Sequence, residues 1–354
     1  MNTTTTIRGA VLAGLVAMAA TSPVHSAGEV SVLAWEGYAD DSYVVPFEEQ
    51  TGCQVNATYV GSNDEFVAKV MGGGGQYDLV SPSNDTTMRL IDAGAVEAVD
   101  TSRISHWDDF FNTFQQPDWL AKEGKIYGVP YGWGIMRIIV DGDAVPNPPQ
   151  SLSILWDPEY KNKISMWDDV AAIYTAARYL GFENTYDLTD EQLEKVKEAL
   201  IEQKPNIRKY WFTTGEMGNL MASGEVVAGN SWEETIVKLR SEGRNIIDLQ
   251  PKEGRGGWAD SWLIVKGAGD NDCVYQFLDH VSSPEAQAQA HAVTGFGYSN
   301  TKLVEHLEGD AKERYTGLGM DDPDSLRDVD WWQPVKRRGK YLEIWNQVKA
   351  ASAD

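Results

Sequence analysis

Apolar positions in this chain fall into short runs separated by stretches of helical spacing. Val30 to Ala34 has strand length, Asp41 to Gln50 reads as a helix stopped at Gly52, and Val55 to Val60 is β-branched and aromatic. Glu65 to Met71 is again helical and Tyr77 to Val80 again extended. This β-α-β-α-β order predicts an α/β sheet, where ligands settle at the loops that follow strand ends. The four glycines Gly72 to Gly75 neither open a helix nor precede Gly-Lys-Ser/Thr, so they predict a flexible helix-to-strand connection, not a phosphate loop. Ile135 to Val140 predicts a further strand, followed by the Pro-rich turn Val145 to Pro149, and a second domain is expected from about residue 136. Thr189 and Gln192 have capping-box spacing and open a helix running to about Gln203.

At 354 residues the chain can bury two ordinary cores. Its net charge of -23 excludes nucleic acid or an anionic membrane surface as partner, and the one basic run, Lys336-Arg337-Arg338, is too short to change that. Broad acidity of this kind serves solubility, so particular acids must be sought for function. At the N-terminus a single charge, Arg8, precedes the apolar stretch Ala10 to Ala20 and the small-residue run Val24-His25-Ser26. That pattern predicts a signal peptide over residues 1–26, cleaved after Ser26 or Ala27, and a soluble exported protein, periplasmic in a Gram-negative host. Export would let Cys53 and Cys273 pair, but one follows a helix-ending glycine and the other begins a helix; two buried free thiols are expected, with a disulfide as the alternative.

Catalytic and metal-binding signatures are absent from the sequence. His106, His280, His291 and His306 lack close ligand spacing and there is no CxxC, so no metal or other cofactor is expected. There is no GxSxG, Ser-x-x-Lys or Walker sequence. A glycosidase-like carboxylate pair could be drawn almost anywhere among 53 acids, which leaves a secreted carbohydrate-active enzyme as the alternative from another class. What recurs is tryptophan beside acid: Trp35-Glu36, Trp107-Asp108-Asp109, Trp156-Asp157, Trp167-Asp168-Asp169, Trp232-Glu233 and Trp258-Ala259-Asp260. An indole face attracts a cation and a carboxylate supplies the formal counter-charge. Strand neighbours point to opposite faces, so only some of these pairs can share a pocket.

Five stretches resemble the spermidine/putrescine-binding proteins of bacterial ABC importers, within the type II solute-binding superfamily. They are Val32 to Tyr38, Tyr77 to Ser83, Gly128 to Gly134, Leu155 to Ile164, and Gln250 to Gly254 continuing through Trp258-Ala-Asp260-Ser. In order, they cover about residues 30 to 350. The resemblance implies an α/β, two-lobed periplasmic binding protein of type II that is not an enzyme, with the ligand cleft between lobes joined by crossover strands. Lobe 1 would comprise residues 28–135 plus 258–304 and lobe 2 residues 136–257 plus 305–354. It also implies a monomer that closes by hinge motion around its ligand and is read by an ABC transporter permease.

Carried over residue by residue, the resemblance implies a site of Trp35, Tyr38, Ser83, Trp232, Trp258 and Asp260, with Asp169 as the second acid of an Asp-Asp pair and Gln333 as a C-terminal polar contact. The chain departs from the family at Gly37 and Ala172, where acids are expected, and at Asp85 and Phe296, where tyrosines are expected; Trp167 is added beside Asp168. A pocket poorer in acid and richer in aromatic surface suits a small cationic or zwitterionic onium compound such as glycine betaine, choline or dimethylsulfoniopropionate. A polyamine, putrescine or spermidine, is the alternative. A zwitterion's carboxylate would need a donor, for which Arg137 is a candidate if Trp133, Ile135 and Arg137 share one strand face; an interlobe or surface salt bridge is the competing role. Trp107, Trp119, Trp156 and Trp211 are assigned to packing, and Trp133 and Trp262 stay open.

Overall fold

The computed structural model describes residue 1 and residues 28–73, 76–317, 319–323 and 329–352. The expected signal peptide and the end of the glycine run lie outside the described residues. Strand β1 (Gly28–Ala34) pairs in parallel with β2 (Cys53–Tyr59) across helix α1 (Asp41–Thr51). The Asp40 side chain caps the first turn of α1, and Gly52 closes it at a left-handed φ of 76°, a conformation glycine adopts without penalty. Helix α2 (Asn63–Gly73) leads to β3 (Leu79–Val80) on the other side of β1, followed by α3 (Asn84–Asp92) and β4 (Val96–Glu97). A one-turn helix α4 (Asn112–Gln115) and the hairpin of β5 (Ala121–Lys122) and β6 (Lys125–Ile126) precede β7 (Val129–Ile135), which is buried throughout.

The chain changes sheets at a single residue, Met136. Strand β8 (Arg137–Asp141) joins a second sheet with β9 (Ile164–Trp167), β10 (Ile207–Trp211), β11 (Ala228–Ser231) and β12 (Ile246–Leu249), in the order β10-β9-β11-β8-β12. Helices α5 (Ala171–Tyr179), α6 (Asp190–Gln203), α7 (Thr214–Ala222) and α8 (Glu233–Ser241) connect these strands, and α6 starts on the predicted Thr189–Gln192 capping box. Strand β13 (Arg255–Val265) then returns to the first sheet, whose order is β14-β7-β13-β3-β1-β2. Helices α9 (Asp272–Ser282) and α10 (Pro284–Thr294) and strand β14 (Gly297–Tyr298) complete that side. Two α/β lobes joined by crossover strands, with a cleft between them, form the type II solute-binding fold.

The details amend three expectations. Ile135 to Val140 is not one strand, because Ile135 ends β7 and Arg137 begins β8 in the other sheet; Trp133 and Arg137 therefore share no face. The last crossing falls later than residue 304. Tyr315 in α11 (Gly309–Gly317) packs its ring 4.9 Å from His291 of α10, and β15 (Val329–Trp331) still pairs with Arg255 to Gly257 of β13. Only then does α12 (Arg338–Ala350) pack on α6 and α5 of the second lobe. Finally, Cys53 and Cys273 form a disulfide across 220 residues instead of remaining free. The Asn271 side chain donates to Glu29 O at 2.8 Å, anchoring the start of α9 beside β1, whose first residue Gly28 pairs with Cys53.

Candidate functional site

Strand ends from both lobes converge on a cavity of about 350 Å³. Trp35 follows β1, Ser83 follows β3, Trp167 ends β9, Trp211 ends β10 and Trp232 follows β11, so loops after parallel strands build the walls. The turn after β1 closes with Tyr38 N donating to Trp35 O at 3.2 Å over Gly37, whose φ of 86° and lack of room beside Thr294 exclude a larger side chain. Tyr38 is thereby directed inward.

Six of the residues named from sequence form a continuous chain of aromatic contacts along the cavity. Trp35 lies 6.1 Å from Trp167, Trp167 5.1 Å from Trp232, Trp232 5.8 Å from Trp258, Trp258 4.7 Å from Phe296, and Phe296 6.4 Å from Tyr38. All five pairs are edge-on, an arrangement favoured by the ring quadrupoles and one that leaves ring faces in several directions. Trp211 and Trp332 stack behind Trp167 at 6.0 and 6.3 Å and also line the cavity.

Asp260 supplies the buried charge. The register of β13 against β7 shifts between Ala259 and Ser261, opposite Trp133 and Pro130, and Asp260 sits at this bulge bridged to Ser83. A bulge re-aims a side chain, and Pro130 has no ladder N–H to offer there. Tyr38 OH donates to Asp260 Oδ2 at 2.6 Å, while Oδ1 is buried with no partner in the protein. Burial pushes the Asp260 carboxyl up to about 7, against the opposing pull of the Tyr38 hydrogen bond and the nearby Ser83 hydroxyl, and repulsion from Asp85 adds to the rise. Two further acids, Glu36 and Glu234, line the cavity from opposite lobes. Burial raises Glu234, and the neighbouring Glu36 charge adds to it. Among the described residues no Arg, Lys or His lines the cavity.

Three residues expected at the site are elsewhere. Asp85 is fully buried in an ion pair with Arg338 at 2.5 Å. Asp169 accepts from Ala171 N at 2.9 Å at the start of α5, off the cavity wall. Gln333 points to solvent, and its predecessor Trp332 takes the lining position. Arg137 fills the competing role: Glu233 and Asp248 hold it at 2.9 and 3.0 Å, so it is not a donor to a ligand carboxylate. Trp133 and Trp262 belong to the core. Trp211, assigned to packing from sequence, does line the cavity, whereas Trp107, Trp119 and Trp156 do not. The acid missing at Gly37 is offset by Glu36 one position earlier, and with Glu234 the cavity is richer in acid than the sequence implied. No group of residues that could hold a metal ion occurs among the described residues.

A two-lobed α/β receptor with a ligand-sized interlobe cavity defines a substrate-binding protein of solute transport, not an enzyme. The chain belongs to the bacterial extracellular solute-binding protein family, whose pattern it matches over residues 42–316. It is 28% identical over 327 residues to the spermidine/putrescine-binding periplasmic protein of Escherichia coli, covering 89% of this chain and 90% of that one. It is 24% identical over 365 residues, 97% of each chain, to the putrescine/agmatine-binding protein of Pseudomonas aeruginosa. The fold of a putative spermidine/putrescine ABC transporter protein from Listeria monocytogenes superposes with a TM-score of 0.82 at 23% identity, over 91% of this chain and 99% of that one. The chain is thus a bacterial extracellular solute-binding protein, similar over most of its length to periplasmic proteins named for spermidine and putrescine.

Proposed function

We propose that the chain captures a compact aliphatic amine, of the diamine class named for its relatives, in the periplasm and presents it to an ABC permease. The observation that carries this reading is the free Oδ1 of buried Asp260 in an aromatic cavity without a basic residue. An ammonium group satisfies that oxygen, and indole faces stabilise the adjoining positive charge. Glu36 and Glu234 offer a second counter-charge toward the other end. The ten lining rings and acids replace the neutralised, hydrated surroundings of a cation with fixed groups. Closure is favoured because both lobes contribute to the same ligand's shell, giving the closed state the higher affinity.

A methylated ammonium is the second reading, favoured by one observation. The indole N–H groups of Trp35 and Trp258 are buried without partners in the protein, so a ligand bearing an acceptor, such as the choline hydroxyl, would satisfy a donor that a simple amine leaves idle. Zwitterions such as glycine betaine fit less well, since their carboxylate would meet lining acids and no cation. Calorimetry of ligand-stripped protein against putrescine, spermidine, choline, glycine betaine and dimethylsulfoniopropionate separates these readings. Heat from putrescine with silence from the methylated compounds supports the first, the reverse supports the second, and silence from all five removes both.

A further inference from the structure

The interlobe interface holds a second acidic cluster beside the cavity, already occupied by a cation of the protein. Asp64 lies on α2 and Asp85 on α3 of the first lobe; Tyr174 on α5 and Arg338 at the start of α12 belong to the second. Arg338 Nη1 meets Asp85 Oδ2 at 2.5 Å and Tyr174 OH at 2.8 Å, and Nη2 meets Asp64 Oδ2 at 3.1 Å. Tyr174 OH donates to Asp85 Oδ2 at 2.9 Å, so hydroxyl and guanidinium converge on one oxygen. Arg338 and Asp85 are almost completely buried.

This cluster abuts the ligand cavity. Asp85 is two residues beyond Ser83, a lining residue, and is close enough to Asp260 for their charges to repel. Asp169, two residues beyond lining Trp167, feels the attraction of Arg338 and the repulsion of Asp85 and Asp64. Trp332 forms the partition: one environment of its ring is the cavity, while the ring of Tyr174 packs 5.9 Å away on the cluster side. Asn84 fixes this partition by donating to Trp332 O at 2.6 Å.

We propose that Arg338 is a specificity-determining residue, a resident cation that fills the Asp64–Asp85 end of the interlobe groove and thereby limits how long a bound amine can be. Carboxylates that could receive the distal ammonium of an extended polyamine are already engaged by the guanidinium. The ligand is then confined to the cavity lined by Asp260, Glu36 and Glu234. Removing one partner of a buried ion pair exposes the uncompensated charge of the other, so loss of Arg338 would leave two or three buried acids seeking a cation. This inference rests on the proposal that the cavity binds an organic cation.

The test measures putrescine and spermidine affinities by calorimetry for the wild type, Arg338→Gln and Arg338→Lys. The wild type should favour putrescine by about tenfold or more, Arg338→Gln should shift the ratio toward spermidine by at least about tenfold, and Arg338→Lys should restore the wild-type order. A folded Arg338→Gln protein with an unchanged ratio overturns the proposal. Should that variant fail to fold, diamines of increasing length on the wild type decide: affinity that drops beyond a short chain supports the cap, and spermidine binding as tightly as putrescine overturns it. Wild-type protein that binds none of the amines instead removes the underlying reading of the cavity.

Discussion

Tyr38 OH donates to Asp260 Oδ2 at 2.6 Å, which fixes the carboxylate and leaves Oδ1 facing no protein donor. Asp260→Asn should therefore weaken an amine ligand by about 3–5 kcal/mol, since a buried ammonium would lose its counter-ion. The ligand-free protein should lose no stability at pH 8, because the change removes a buried, uncompensated charge. Titration calorimetry and a thermal melt check the two halves. Retained affinity would show that Asp260 is not the ammonium partner.

Burial holds Asp260 at about 7, above the ordinary carboxylate value of about 3.9, and this sets opposite pH trends for stability and binding. Between those values the folded protein retains a proton that the unfolded chain has released, so this group's contribution to ligand-free stability is largest at acid pH and is lost as pH rises through about 7. Amine binding requires the ionised carboxylate, so affinity should rise from pH 5.5 to 8 by up to about tenfold per unit below the pKa. Calorimetry near pH 7 in buffers of differing ionisation heat should reveal proton release on binding. Asp169 also stands at about 7, but it faces the Arg338 cluster and not the ligand. Asp260→Asn should consequently flatten the binding profile; a profile still as steep in that variant would assign the proton elsewhere.

Much of this site was legible because the Trp-x-Asp stretch lies on one strand with a local bulge, and because Trp35, Ser83 and Trp232 stand where strands end. The failures share a cause in contacts remote in sequence. Asp85 resembles a site acid until Arg338, 253 positions away, is brought against it. In the sequence Lys336-Arg337-Arg338 is only a short basic run with no role assigned, yet Arg338 turns inward where α12 begins and Lys336 stays exposed. Gln333, expected at the site, is exposed past the end of β15, and its buried neighbour Trp332 lines the cavity instead. The disulfide was illegible for the same reason, its partners meeting only once α9 packs on β1.

The run of aromatic contacts predicts a graded response to truncation. Trp232 and Trp258 both touch the cavity, with Trp258 also braced by Phe296 at 4.7 Å. Trp232→Ala and Trp258→Ala should each weaken a bound cation by about 1–2 kcal/mol through lost cation–π contact, with further loss from packing at Trp258. Trp107→Ala, remote from the cavity, should leave affinity unchanged. Affinity that survives both cavity substitutions would dissociate the aromatic run from ligand capture.

Glu36 and Glu234 face one cavity from opposite lobes, and the Glu36 charge adds to the rise of Glu234, so closure without a ligand brings like charges together. Glu234→Gln should lower affinity for a diamine more than for a monoamine, by about 0.5–1 kcal/mol given that Glu36 is exposed and screened. The difference should shrink in high salt. Equal effects on both amines would place the second ammonium away from this pair.

The Cys53–Cys273 bond joins the first residue of β2 to the first turn of α9 and closes a loop of 220 residues within the first lobe's framework. In the chain-entropy account such a link raises stability by about 2–5 kcal/mol, mainly by restricting the unfolded chain. Cys53→Ser with Cys273→Ser should lower the denaturation midpoint accordingly, measured against the oxidised wild type. Binding should change little, because neither cysteine lines the cavity and the strand pairing from Gly28–Cys53 to Ala34–Tyr59 continues to place Trp35. A double variant of unchanged stability would mean that the bond does not form in the folded protein. A variant stable but unable to bind would show that the bond, and not the β1–β2 ladder, holds the cavity's first wall in place.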